Sequence, residues 1–358
     1  MSESLKEINR RMIRDSRSWT EIEDGDLSCQ SMFVDSGAYS LFNLHVGHKE
    51  KIGKHGRSLE PAAIPRGKGD YSFFDLSKGS AFRAYCDKFA VFVKKLEGTG
   101  VLITTVDVIQ NPDLTWEVQR FFEEEHGVQP IPVIHAGTNL KYVDRYLEAG
   151  RYDLIGIGGL GHSIGVGVYM RWADTLFTKL CPESNGFLPV IKTHGFAMTS
   201  WKLMCRWPWW SVDSATWIKL ASYGWILVPR WDKRTGFRYD VPPMQVNVSR
   251  KVTKRMNRFA WTTKGRHPRQ CKDKHYDNAK LSIKEDTDRW LGHLGVELNS
   301  TEEEPYGVST NFRARSLVNL HYLKDLEESR PKWPWPLAIR DGVGDAQRTW
   351  IRKSFEIL

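Results

Sequence analysis

The chain has 358 residues, 41% of them hydrophobic, enough for one large domain with an appendage or for two ordinary ones, and too much for a disordered chain. It carries a formal net charge of +9 and no apolar run near the roughly 18 residues that a membrane span needs, which fits a soluble, cytoplasmic protein with no membrane partner. The five cysteines (29, 86, 181, 205 and 271) are odd in number and widely scattered, which argues against a disulfide framework.

Residues 1–28 are polar, with a weak helical period in Leu5, Ile8, Met12 and Ile13, and read as an N-terminal arm. A βα rhythm begins near residue 30. The strand 32–34 is stopped by Asp35-Ser36-Gly37, and a Gly-, Lys- and His-rich loop spans 45–75. Helical spacing over 81–96 (Phe82, Tyr85, Phe89, Phe92, Val93, Leu96) leads to a β-branched strand over 101–106 that ends at Asp107. Asn111-Pro112-Asp113 opens a helix reaching residue 125. Strand 131–134 ends at His135, helix 141–149 is closed by Gly150, and strand 154–157 ends at Gly158-Gly159-Leu160. After a helix over 168–180, the run 188–192 reads as a strand leading to Thr193-His194-Gly195. A short helix over 199–205 precedes strand 211–213, and a further strand follows over 225–228.

Short, continuous apolar strands alternating with helices of ten to fifteen residues are the pattern of parallel βαβ units covered on both faces. About seven strands between residues 30 and 230 predict an α/β fold, a (β/α)8 barrel over 29–235. An open doubly wound sheet is the alternative, but no Gly-x-Gly-x-x-Gly opens a helix after the first strand. Beyond Pro242-Pro243 the rhythm is lost, and residues 236–358 read as a basic, mainly helical extension, with helices expected near 286–294 and 312–328.

The charge is concentrated. Between Arg250 and His275 ten Lys and Arg, among them Arg250, Lys251, Lys254, Arg255, Arg258, Lys264, Arg266 and Arg269, face one acid, Asp273. Phe259, Trp261 and Tyr276 are interleaved with them, which suits a nucleic acid whose bases can be stacked.

The residues able to carry chemistry fall at predicted strand ends: Asp35, Asp107, His135, Gly158-Gly159, His194-Gly195 and Asp213. In a parallel barrel these ends share one rim. Each has an ordinary reading as well. Asp35 can serve a turn, Asp107 and Asp213 can cap helices, and the tryptophans at 207, 209, 210 and 217 around Asp213 can be packing.

Phe33-Val34-Asp35-Ser36-Gly37-Ala38-Tyr39, Val106-Asp107, Gly158-Gly159-Leu160 and Ser211-Val212-Asp213-Ser214 occur in the order seen in guanine transglycosylases, which the chain resembles over roughly residues 30–230. With His194-Gly195-Phe196 and the tryptophan run, it is most similar to the phage-type branch that exchanges guanine in DNA for a free 7-deazaguanine base of the preQ0 type, a modification that protects phage DNA against restriction. The resemblance implies a (β/α)8 enzyme in which Asp213 attacks C1′ and Asp35 is the general acid/base. It implies that Asp107 meets the base's N–H donors, that Gly158, Gly159 and Leu160 supply backbone contacts, and that Tyr39 stacks on the base. Ser36, His135, His194 and Gly195 would complete the pocket.

The tRNA enzymes of that family carry a Cys-x-Cys-x-x-Cys zinc cluster, which is missing here. The only thiol of the tail stands in His267, Cys271 and His275, and closed zinc sites normally use more thiolates, so the expectation is a site that needs no cofactor. The same exchange on tRNA is one alternative. A sugar hydrolase with two carboxylates and a non-catalytic nucleic-acid-binding barrel are others.

Overall fold

The computed structural model describes residues 33–38, 41, 45, 71–158, 166–185, 188–198, 200–250, 275–299 and 307–329. They fall into two compact units divided after Asp213.

In the first unit, parallel strands follow one another in chain order. β1 (Phe33–Val34) pairs with β2 (Leu102–Ile103), with Phe33 beside Leu102. A parallel bridge from Thr104 to Ile131 carries the ladder on to β3 (Val133–His135), β4 (Leu154–Gly158), β5 (Lys192–Gly195) and β6 (Ser211–Val212). The register sets Val133 beside Gly156, Gly156 beside His194, and His194 beside Ser211.

Helices form where the apolar period and the caps agree. α1 (Ala81–Leu96) starts at Ser80, whose Oγ accepts the Arg83 amide at 3.1 Å, and buries Phe82, Cys86, Ala90 and Val93 on one face. α2 (Pro112–Glu125) has Asn111 as its cap and Pro112 in its first turn, where the missing N–H costs nothing. α3 (Lys141–Ala149) ends at Gly150, whose φ of 64° is the left-handed conformation of a helix stop. α4 (Val166–Leu180) buries Tyr169, Ala173, Leu176, Phe177 and Leu180 completely.

These helices cover one face of the ladder. Val34 and Ile103 pack with α1 and α2, while Ile134, Ile155, Ile157 and Val212 pack with α3 and α4. Each such side chain contributes ~1.5–3 kcal/mol on burial. The intervening residues therefore point to the other face. There the Phe33 ring stacks on His194 with centroids 4.0 Å apart and meets Phe196 edge-on at 5.8 Å. β1 and β5 stand four strand steps apart, roughly 19 Å in a flat sheet, so the ladder curves enough for a ring of its first strand to reach a ring of its fifth.

One strand differs in place from its sequence reading. The apolar run 188–192 is not a strand; Leu188 and Val190 are half-exposed, and β5 is the polar segment that follows, with Thr193 and His194 buried. Pro189 has no ladder donor, and the inner position beside Gly156 takes an imidazole instead of an aliphatic group. His194 thus lies within its strand.

A short helix, α5 (Trp201–Met204), precedes β6. The second unit contains α6 (Thr216–Ser222) and β7 (Trp225–Val228), which pairs antiparallel with β10 (Met244–Asn247) instead of continuing a parallel ladder. A hairpin of β8 (Arg230–Asp232) and β9 (Gly236–Arg238) lies between them in sequence. α7 (Leu281–Leu294) starts five residues earlier than the apolar period suggests, and α8 (Phe312–Glu328) matches its expected span. The buried Asn319 of α8 accepts the Leu227 amide at 2.7 Å and donates to the carbonyls of Trp217 and Trp225. The region read as mainly helical therefore also supplies two strands, β9 and β10. Among the described residues no helix is long and apolar enough to cross a membrane.

Candidate active site

Three carboxylates of the first unit gather at the carboxyl ends of its parallel strands. Asp35 follows β1 in a loop fixed from several sides. The Ser36 amide donates to Thr104 Oγ1 at 3.2 Å, and Tyr85 Oη donates to the Ser36 carbonyl at 2.8 Å. Gly37 turns the chain at a φ of 74°, which only glycine adopts without strain. Asp35 is open to solvent on one side and walled by protein on the other. Its pKa is raised, first by desolvation and then by the negative charge of Asp107, with Asp213 adding to it; amides of Gly37 and Ser36 bonded to the carboxylate oppose the shift. Asp107 and Asp213 are therefore both within electrostatic reach of Asp35.

Asp107 is buried, and its Oδ2 lies 2.7 Å from Nε2 of His135, also buried, at the end of β3. Thr115 pins the following turn, accepting the Val108 amide and donating to the Val108 carbonyl. His135 thus acquires a definite place as the partner of Asp107. Beside it, a Cβ on Gly158 would stand 3.4 Å from the His135 ring, so the glycine keeps that face of the imidazole open.

Asp213 is more than half exposed, with 58% of its side chain accessible, and its backbone extends β6: its amide donates to the Gly195 carbonyl and its carbonyl accepts the Met198 amide. The Ala197 amide donates to Asp213 Oδ1 at 2.8 Å. Ala197 has a φ of 56°, left-handed for a residue with a Cβ, a conformation costing on the order of 1 kcal/mol and tolerated where the surroundings enforce it. Asp213 does not cap the next helix; that position belongs to Ala215, without any side-chain hydrogen bond.

His194 lies under Asp213. It is 2% exposed, its Nδ1 is 2.8 Å from Ser211 Oγ, and its Nε2 is 3.9 Å from Asp213 Oδ1 with no hydrogen-bond partner. Burial lowers its pKa, against the pull of Asp213, and so favours neutral imidazole. Phe196 fills the space below: a Cβ on Gly156 would meet its ring at 2.6 Å.

The structure thus brings together Asp35, Ser36, Asp107, His135, Gly158, His194, Gly195 and Asp213. Tyr39, Gly159 and Leu160 lie outside the described residues, as do Lys251, Lys254, Arg255, Arg258, Lys264, Arg266, Arg269, His267 and Cys271. Arg250 is described and exposed. His275 faces the Ser249 carbonyl with Nε2 at 3.2 Å, and its Nδ1 accepts the Asp277 amide at 3.2 Å. Among the described residues no group of three His, Cys, Asp or Glu is placed to hold a metal ion.

The tryptophans divide. Trp207 and Trp209 are core residues, 0% and 2% exposed; Trp207 stacks on Phe177, and its indole N–H donates to Asp174, which is also paired with Arg206. Neither can stack on a base. Trp210 is 43% exposed, with the Lys192 ammonium over its ring. Sequence reasoning missed Ser211 as the partner of His194, and it missed the left-handed Ala197. Neither residue type signals such a role. Compared with protein-family models, curated proteins and solved structures, the chain matches none.

Proposed function

We propose that this protein is a DNA-guanine transglycosylase that exchanges guanine for a free 7-deazaguanine on a (β/α)8 barrel, with Asp213 as nucleophile and Asp35 as general acid/base. The observation that carries the reading is the gathering of Asp35, Asp107 and Asp213 at one end of a curled parallel ladder, where two like charges help keep the proton on Asp35. A carboxyl whose pKa is raised suits proton transfer to a leaving base, and an exposed carboxylate anchored through one oxygen suits attack on an anomeric carbon. The contact of β1 with β5 supports the barrel, because only a strongly curved sheet brings them together.

In the first half-reaction Asp213 forms a bond to C1′ as C1′–N9 breaks; the electron pair leaves with guanine, which takes the Asp35 proton. In the second, Asp35 accepts the N9 proton of the 7-deazaguanine, N9 attacks C1′, and Asp213 departs as carboxylate. Two inversions restore the β-configuration. Asp107, held by His135, would accept from the N–H groups of the base. Reaching C1′ requires the nucleotide to leave its stack, at a few kcal/mol, and the basic run 250–274 would offset that through phosphate contacts.

The test incubates the protein with guanine-containing duplex or single-stranded DNA, or with tRNA, plus preQ0. Mass spectrometry of the digested nucleosides then follows. A 7-deazaguanine nucleoside from DNA is the expected result. Its appearance from tRNA alone would overturn the choice of polymer, and its absence from both would overturn the reaction.

A further inference from the structure

Asp213 has two carboxylate oxygens, and their surroundings differ. Oδ1 already accepts the Ala197 amide, and the same oxygen is the one nearest to His194 Nε2. Among the described residues no hydrogen bond engages Oδ2. His194 is itself held on three sides: by Ser211 at Nδ1, by the Phe33 ring stacked at 4.0 Å, and by the Phe196 ring edge at 4.6 Å. Among the described residues its remaining nitrogen, which is buried, has no hydrogen-bond partner. A buried polar atom without a partner costs roughly 1–3 kcal/mol and calls for an explanation at a site.

The tautomer follows from electrostatics. If Nε2 carried a lone pair, it would face a carboxylate oxygen 3.9 Å away, acceptor against acceptor. With the proton on Nε2 the contact becomes attractive. Nδ1 is then the acceptor, and the Ser211 hydroxyl donates to it. The gap of 3.9 Å exceeds a hydrogen bond, but such contacts in empty sites commonly tighten when substrate is bound.

We infer that Ser211 and His194 form a positioning relay: Ser211 fixes His194 with its proton on Nε2, and that N–H, with the Ala197 amide, holds Oδ1 of Asp213 so that Oδ2 is the attacking oxygen. This rests on the transglycosylase reading. In the covalent intermediate Oδ2 carries C1′ and Oδ1 becomes the ester carbonyl, still held by both donors. No proton passes through His194; it orients the nucleophile and keeps its outer oxygen turned toward the sugar.

Two substitutions separate the donor from the ring. His194→Gln places an amide N–H near the Nε2 position, whereas His194→Asn reaches only the Nδ1 position and leaves Oδ1 without its second donor. Both lose the imidazole stack on Phe33, so their difference reads the hydrogen bond. Single-turnover kinetics should show kcat in H194N lower than in H194Q by about 10- to 100-fold, the range for a hydrogen bond to a charged group, with KM for DNA nearly equal. Equal kcat values in the two variants would overturn the relay while leaving the transglycosylase reading standing, provided the unsubstituted protein exchanges base. A second measurement needs no activity and no variant. Long-range proton–nitrogen correlation spectra of the histidine-labelled full chain should show His194 protonated at Nε2, and protonation at Nδ1 would refute the inference even if both variants failed to fold.

Discussion

The buried pair Asp174–Arg206 gives the sharpest stability prediction. Arg206 donates to both Asp174 oxygens, from Nε at 2.9 Å and from Nη2 at 2.8 Å, and Trp207 Nε1 donates to the same carboxylate at 3.0 Å. Asp174 and Arg206 are 7% and 5% exposed. Asp174→Asn keeps the shape, removes the charge, and turns an NH2 group toward the guanidinium. Arg206 then loses its bidentate carboxylate, at a cost of about 3–5 kcal/mol, which in a domain of this size lowers Tm by on the order of 10 °C. The damage reaches the site because Trp209, which packs edge-on against Trp207, stands against Gly195 of β5, where a Cβ would meet its ring at 3.2 Å. Replacing both partners, as in Asp174→Leu with Arg206→Met, removes the guanidinium charge that D174N leaves facing a neutral amide, while the Trp207 N–H loses its carboxylate at roughly 1–3 kcal/mol. The double variant should therefore be more stable than the single. Calorimetry and urea unfolding of the three proteins test this. A D174N protein within about 1 °C of the parent, or a double variant less stable than D174N, would refute the assignment of the pair.

Four further outcomes follow from the geometry. Asp213→Asn should abolish base exchange and leave DNA affinity within about twofold, read by mass spectrometry and by fluorescence anisotropy, because the side chain is exposed and is the nucleophile in the proposed reaction. Asp35→Asn should abolish exchange yet raise Tm at pH 7. The folded pKa of Asp35 is raised, so the native state holds its proton to higher pH than the unfolded chain does, stability falls as pH climbs through that window, and the gain from Asn should vanish near pH 3, below the ordinary carboxylate range of about 3.9. Gly156→Ala should cost about 1–3 kcal/mol through overpacking and slow exchange, since its methyl must push the Phe196 ring from beneath His194; unaltered Tm and rate would contradict that placement. Neutralising the basic residues between 250 and 274 should weaken DNA binding and flatten its salt dependence, and an unchanged slope of log K against log salt would move the footprint elsewhere.

What could be read from sequence divides along the two faces of the ladder. α1 and α3 match their expected bounds to the residue because an apolar period, the cap Ser80 and the stop Gly150 all agree. β5 was misread because Lys192, Thr193, His194 and Gly195 offer no aliphatic side chain where a core strand usually has them, so hydrophobicity points to Leu188 and Val190 instead. That tryptophans of the run could be packing was legible, but not which ones; Trp207 is buried with its indole N–H on Asp174, thirty-three residues earlier on α4, a pairing that no local pattern announces. The carboxylates were legible as strand-end residues. The Ala197 amide on Asp213 was not, since a left-handed alanine comes from the fold around it and not from its own preference.

The alternation itself explains why these acids meet. Parallel strands present their carboxyl ends to one side, and a period of two sends Ile134, Ile155, Ile157 and Val212 outward to the helices while His135, Gly156, Gly158, His194 and Ser211 face inward. A slip of one residue in any strand would bury its polar set against the helices, so the outer packing enforces the inner arrangement. The apolar face therefore determines where Asp35 and Asp213 stand without touching either. Substitutions on the two faces should then fail differently: outer ones through stability with the chemistry intact in whatever remains folded, inner ones through the chemistry in a protein that still folds.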